Sequence, residues 1–124
     1  MWGPMGGPYN RWNDALLNAE KLRGTQLYIS SATGLAGRAD QVSYLTGVGL
    51  PELTAQLTAA QLQVEGGIIE AAINQCTHDL RAKLNGLGIP AHYELRNAGT
   101  HSWPYWREDL GRAWQTTLAP ALGL

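Results

Sequence analysis

His101 is the residue whose type and setting first suggest chemistry. It lies in the run Gly99-Thr100-His101-Ser102-Trp103-Pro104-Tyr105-Trp106, on a glycine-containing turn after a strand-like segment and before a helix-like segment. In open α/β sheets, reactive groups gather in the loops outside the carboxyl ends of the strands, and this histidine falls in such a loop. An imidazole there can take and return a proton near neutral pH. A lone histidine among three aromatic neighbours also serves packing, so its position needs a partner to carry meaning.

A histidine base needs a carboxylate to hold its tautomer and stabilise the imidazolium. Four acids are near enough in the chain to consider: Asp40, Glu65, Glu70 and Glu94. Glu94 alternates within the strand-like run and points away from the loop. Asp40 sits in a long loop and stays open. Glu65 and Glu70 fall at the start of a long helical pattern, where the helix dipole favours an anion; both also fit solvent-facing helix-start charges.

The nucleophile is the gap. The serines are Ser30, Ser31, Ser43 and Ser102, and no Gly-x-Ser-x-Gly elbow occurs. Ser30 and Ser31 end a strand without the sharp strand-to-helix turn that an elbow requires. Ser102 adjoins His101, which normally sends the two side chains apart. No glycine-rich oxyanion-hole loop is visible either. The remaining histidines, His78 and His92, lack the spacing of a metal site with His101, so neither a metal nor a cofactor is expected. Cys76 has no partner cysteine and lies on an apolar helical stripe, where core packing is its expected role.

These residues need elements to position them. The segment 1–12 is rich in Gly and Pro and reads as a loop. Asn13 or Asp14 can cap a short helix through Leu16, Leu17, Ala19 and Leu22, which Gly24 ends. Thr25 to Ser31 then reads as a strand. From Leu35 to Leu50 the pattern is that of a glycine-rich loop, and Pro51 can open a short helix over Glu52 to Gln63. Residues 35–63 are thus expected as an insertion of loop and helix near the site.

The strongest helix runs from about Gly67 to Asn85. Ile69, Ala72, Ile73, Cys76, Leu80 and Leu84 recur at three and four, a stripe expected to pack on a sheet. Gly86, Gly88 and Pro90 end it. Ala91 to Arg96 is the second strand, and Trp106 to Leu118 the closing helix, with Leu110, Ala113 or Trp114, and Leu118 as its inner face. Strand, helix and strand in this order predict an α/β fold with parallel pairing. Two strands leave at least one raw edge, so the sheet is expected to be incomplete alone.

Composition bounds the function classes. The chain has 124 residues, enough for one domain, a formal net charge of -1 and no basic cluster. Nucleic acid and anionic lipid are therefore not expected partners. No apolar run is long enough to span a bilayer, and no charged and apolar leader opens the chain.

The run GTHSWPYW, followed by Glu108-Asp109-Leu110, resembles the histidine loop of the antigen 85-type mycolyltransferases, exported α/β-hydrolase acyltransferases and esterases. Further likeness lies in Met1-Trp2-Gly3-Pro4, in Leu16 through Thr25 and in Leu87-Gly88-Ile89-Pro90-Ala91, so it covers most of the chain.

The resemblance implies that residues 1–124 are a single partial domain, the C-terminal part of an α/β-hydrolase doubly wound parallel sheet. They would supply its last two strands with flanking helices. His101 would be the base, and Glu70, in the matching Ile68-Ile69-Glu70 motif, the acid, with Glu65 in reserve. Trp103 would wall an acyl or sugar pocket, or equally anchor the last helix.

The family's nucleophile and oxyanion hole lie upstream of its Met-Trp-Gly stretch, so this chain alone is expected to be inactive. The implied substrates are an acyl ester or glycolipid donor and a trehalose or cell-wall sugar acceptor. The implied location is outside the cell or in its envelope. Non-catalytic relatives imply the alternative of a carbohydrate- or matrix-binding protein; an inactive truncated fragment is a third possibility.

Overall fold

The computed structural model describes residues 3–124; Met1 and Trp2, which open one of the resembling stretches, lie outside them. Strands β1 (Tyr28–Ala32) and β2 (His92–Arg96) pair in parallel, with Tyr28 opposite His92 and Ala32 opposite Arg96. The fold is mixed helix and strand, as the strand–helix–strand order predicts. β1 starts later than expected. The His92 amide donates to the Leu27 carbonyl at 2.8 Å, and the ladder runs onward from there.

Ala19, Leu84 and Ile89 form the core beneath the sheet, with Leu22, Leu27, Ile29, Leu80 and Tyr93 packed around them. A second cluster of Leu45, Ala55 and Ala59 joins helices α2 (Val42–Gly47) and α3 (Glu52–Gln61).

Several segments are more ordered than their patterns predict. Within the expected N-terminal loop, α1 (Pro8–Asn13) forms with Pro8 at its first turn, where a missing N–H costs nothing. Asp14 accepts the amides of Leu16 and Leu17 at 2.9 and 3.0 Å, so it caps a turn; the helical part is a 3₁₀ segment, Ala19–Leu22. The expected loop 35–50 holds a 3₁₀ turn, Arg38–Asp40, and α2. The turn forms because the Asp40 carboxylate accepts the Gly37 amide at 2.8 Å.

Expected as separate helices, α3 and α4 (Gly67–Gly86) are continuous through a π turn at Leu62–Gly66. The helical part of the expected 35–63 segment therefore runs on into α4. This continuity also removes the helix start from Glu70. The amides before it lie inside a running helix, so no free N-terminus is there to hold a charge.

The faces that pack also differ from expectation. On α4 the buried residues are Gly67, Glu70, Thr77 and Leu84, while Ile69, Ile73 and Cys76 are exposed; Cys76 is not in the core. On α5 (Trp103–Ala113) and the π turn after it, Tyr105, Asp109, Ala113 and Thr117 face inward, whereas Leu110, Trp114 and Leu118 are exposed. A final short helix, α6 (Ala119–Ala121), closes the chain.

The physical reason is the width of the sheet. Two strands cover only a narrow part of each helix, and polar partners at the strand ends take that part. The apolar stripes of α4 and α5 are left beside it.

Candidate functional site

The loop after β2 brings His101 over the junction of the π turn and α4. Its backbone amide donates to the Gly66 carbonyl at 3.1 Å, which ties the histidine to the end of the π turn. Wide π turns inside helices often sit at functional sites, since they release the ordinary backbone pairing.

One turn further on, the Glu70 carboxylate meets the imidazole, with Oε2 3.0 Å from His101 Nδ1. The other oxygen, Oε1, accepts the Ala32 amide at the end of β1 at 2.8 Å. Glu70 is only 2% exposed. A buried carboxylate is stable only if it is bonded on both sides, and here the sheet end holds one oxygen while the imidazole holds the other.

The geometry sets the tautomer. An ionised carboxylate can only accept, so Nδ1 carries the proton at this contact, and in the neutral ring Nε2 is the nitrogen with the free lone pair. Glu70 is the only hydrogen-bond partner of the ring among the described residues. Trp106 meets the ring edge to face, with centroids 4.6 Å apart. The imidazole is thus oriented from below by Glu70 and from the side by indole, with about a third of its side chain exposed to solvent.

The approach of α4 to β1 depends on glycines. Gly34 has a positive φ of 85°, and a Cβ there would lie 2.2 Å from the Gly67 carbonyl oxygen. That contact keeps the chain leaving β1 against the start of α4, where Glu70 reaches Ala32.

Of the other acids, Glu65 is exposed and its carboxylate accepts from Gln61, with no hydrogen bond to His101. Glu94 pairs with Arg112 on α5. Asp40 is fully buried yet makes no bond to the imidazole; it accepts the Thr100 hydroxyl at 2.7 Å and the Tyr105 hydroxyl at 2.8 Å. The sequence left it open as an acid. What it lacked was any sign that two hydroxyl donors of the histidine loop would fold onto this loop.

Two of the four serines are occupied elsewhere. The Ser31 hydroxyl donates to the Asn74 side-chain carbonyl at 3.0 Å, and the Ser102 hydroxyl faces Asp40 at 3.4 Å. No hydroxyl among the described residues meets His101.

Trp103 opens α5 with 70% of its surface exposed and touches the ring of Trp106 at 5.9 Å, edge to face. It is free of the core, so anchoring the last helix falls to Tyr105. His92 is exposed and stacks on Tyr28 at 5.2 Å, while His78 lies on the exposed side of α4; neither shares the site. Among the described residues no helix is long and apolar enough to cross a membrane.

Comparison with protein-family models and with curated proteins finds no match for this chain.

Proposed function

We propose that this chain carries the acid and the base of a serine-type acyltransferase or esterase, with the nucleophile supplied by residues not among these 124. The observation that carries the reading is the buried Glu70, held by the Ala32 amide and bonded to His101 Nδ1 at 3.0 Å. That is the arrangement a general base needs: one nitrogen fixed by an anion, the other open.

With a serine presented to Nε2, His101 would take its proton as Oγ attacks the acyl carbon, and Glu70 would stabilise the imidazolium. The proton would then pass from Nε2 to the departing alcohol. In the second half, an acceptor hydroxyl or water would give its proton to the same nitrogen and attack the acyl-serine, and Nε2 would return that proton to the serine Oγ as the acyl–Oγ bond breaks.

Two further observations support the reading. The histidine run and its aromatic neighbours resemble the mycolyltransferase loop, which points to a mycolyl-type donor, a trehalose or cell-wall sugar acceptor, and a site of action at the cell envelope. The exposed apolar stripes on α4 and α5, beside a sheet of two strands, fit the last part of a wider doubly wound sheet. Exposed Trp103 favours one second reading, a sugar-binding protein without turnover, because an indole face can stack on a sugar ring.

The test combines mass and labelling on the protein isolated from its native source. Its intact mass is measured, and it is treated with a serine-directed fluorophosphonate before and after His101→Ala. Labelling that maps outside residues 1–124 and falls away in the variant is the expected result. An unlabelled protein whose mass matches the 13.4 kDa chain would overturn catalysis and leave sugar binding as the reading.

A further inference from the structure

Asp40 touches neither the imidazole nor the carboxylate of Glu70, yet it holds both neighbours of the histidine. Its Oδ1 accepts from Thr100 Oγ1 at 2.7 Å and faces Ser102 Oγ at 3.4 Å. Its Oδ2 accepts the Gly37 amide and the Tyr105 hydroxyl, each at 2.8 Å. The Tyr105 oxygen in turn accepts the Ala39 amide at 3.1 Å. Asp40, Thr100, Ser102 and Tyr105 are all buried.

The backbone completes the link to the helix. The Asp40 carbonyl accepts from Gln63 Nε2 at 2.9 Å, within the same π turn whose Gly66 carbonyl binds the His101 amide. One anion therefore fixes the loop before α2, the residues on either side of His101, and the first turn of α5.

We propose that Asp40 is a positioning residue for His101: its carboxylate sets the histidine loop so that Nδ1 meets Glu70 Oε2. This rests on the reading of His101 as a general base oriented by Glu70. The charge matters because four donors converge on two oxygens. An amide in the same place keeps one oxygen for the Gly37 N–H, but its NH₂ makes the hydroxyls it faces accept instead of donate, and the charge-assisted bonds that hold the loop are lost. The loop is then held less tightly, and His101 with it. An imidazole that swings away from Glu70 is free to take the other tautomer.

The experiment is ¹⁵N and ¹H NMR of the His101 ring in the full chain, which needs no turnover. The unaltered protein is expected to show the Nδ1–H tautomer with a slowly exchanging downfield proton. Asp40→Asn should lose that proton signal and populate the Nε2–H tautomer, while circular dichroism shows an unchanged fold. Thr100→Val removes one bond and leaves the carboxylate; it should speed exchange of the Nδ1 proton roughly tenfold.

A folded Asp40→Asn protein with unchanged ring signals would overturn the assignment. If Asp40→Asn fails to fold, Thr100→Val decides: faster exchange supports the role and unaltered exchange removes it. The Nε2–H tautomer in the unaltered protein would instead sink the Glu70–His101 reading itself, so the two failures are told apart.

Discussion

At the residue scale, the site comes down to a division of labour between two buried carboxylates. Glu70 bonds to the imidazole and the end of β1, while Asp40 bonds to the loop around the imidazole. Replacing Glu70 by Gln keeps the shape but presents an amide where an anion stood. We expect the imidazole to flip to the Nε2–H tautomer, read by ¹⁵N shifts, and, under the proposed acyl-transfer function, ester turnover to fall by roughly 10³–10⁴-fold.

Glu65→Gln is the control. Glu65 is solvent-exposed and bonded to Gln61, so stability should change by no more than about 0.5 kcal/mol and the ring signals not at all. Damage by Glu65→Gln with none by Glu70→Gln would reassign the acid.

Tyr105 carries a pH signature. Burial, and then its bond to the Asp40 carboxylate, push its phenol above the ordinary value near 10. The folded state therefore holds this proton more tightly than the unfolded chain does. Its contribution is complete below pH ~10 and is lost as pH rises above that value. Denaturation midpoints measured from neutral to strongly alkaline pH should fall, and Tyr105→Phe should flatten that fall. An equal alkaline slope in the variant would remove Tyr105 as its source.

At the element scale, the contact between the β1 exit and α4 positions the carboxylate. Gly34 has a left-handed backbone, and an added Cβ would meet backbone atoms of Gly67 and Ala71, which cannot move aside as a flexible side chain would. Gly34→Ala should cost about 2–4 kcal/mol in chemical denaturation and loosen the Glu70–Ala32 bond. A loss below about 0.5 kcal/mol would mean that the two segments part easily.

The unbroken course of α3, the π turn and α4 was not legible in the sequence. Gly66-Gly67 and a change of apolar phase there look like a boundary. The close packing of the Gly34 loop and of Thr100 and His101 against these glycines shows why small residues stand inside a helix. The inward face of α4 was misread for a related reason. Periodicity finds the most apolar stripe, whereas the face against β1 is chosen by Glu70 and by Asn74, which accepts the Ser31 hydroxyl.

At the scale of the whole molecule, apolar surface is left over. Ile68, Leu53, Leu57, Val64 and Leu110 are each more than 60% exposed, and a shallow groove of about 460 Å³ runs along α4 past Ala72, Ile73 and Cys76. Surfaces of this kind associate in water unless covered. We expect the 124-residue chain alone to self-associate with rising concentration in sedimentation velocity. A monomer up to high concentration would argue against a wider sheet covering these faces.

Local chemistry was readable from the sequence by itself: a strand on each side of a long helix, the parallel pairing that follows, and a histidine loop whose resemblance pointed to Glu70. These follow from short-range periodicity, turn residues and motif spacing. Only the tertiary structure decided which acid meets the imidazole, that Asp40 holds the loop instead, and which helix faces are buried. Those depend on contacts between residues 31 to 65 positions apart, where one buried charge outweighs the local apolar pattern.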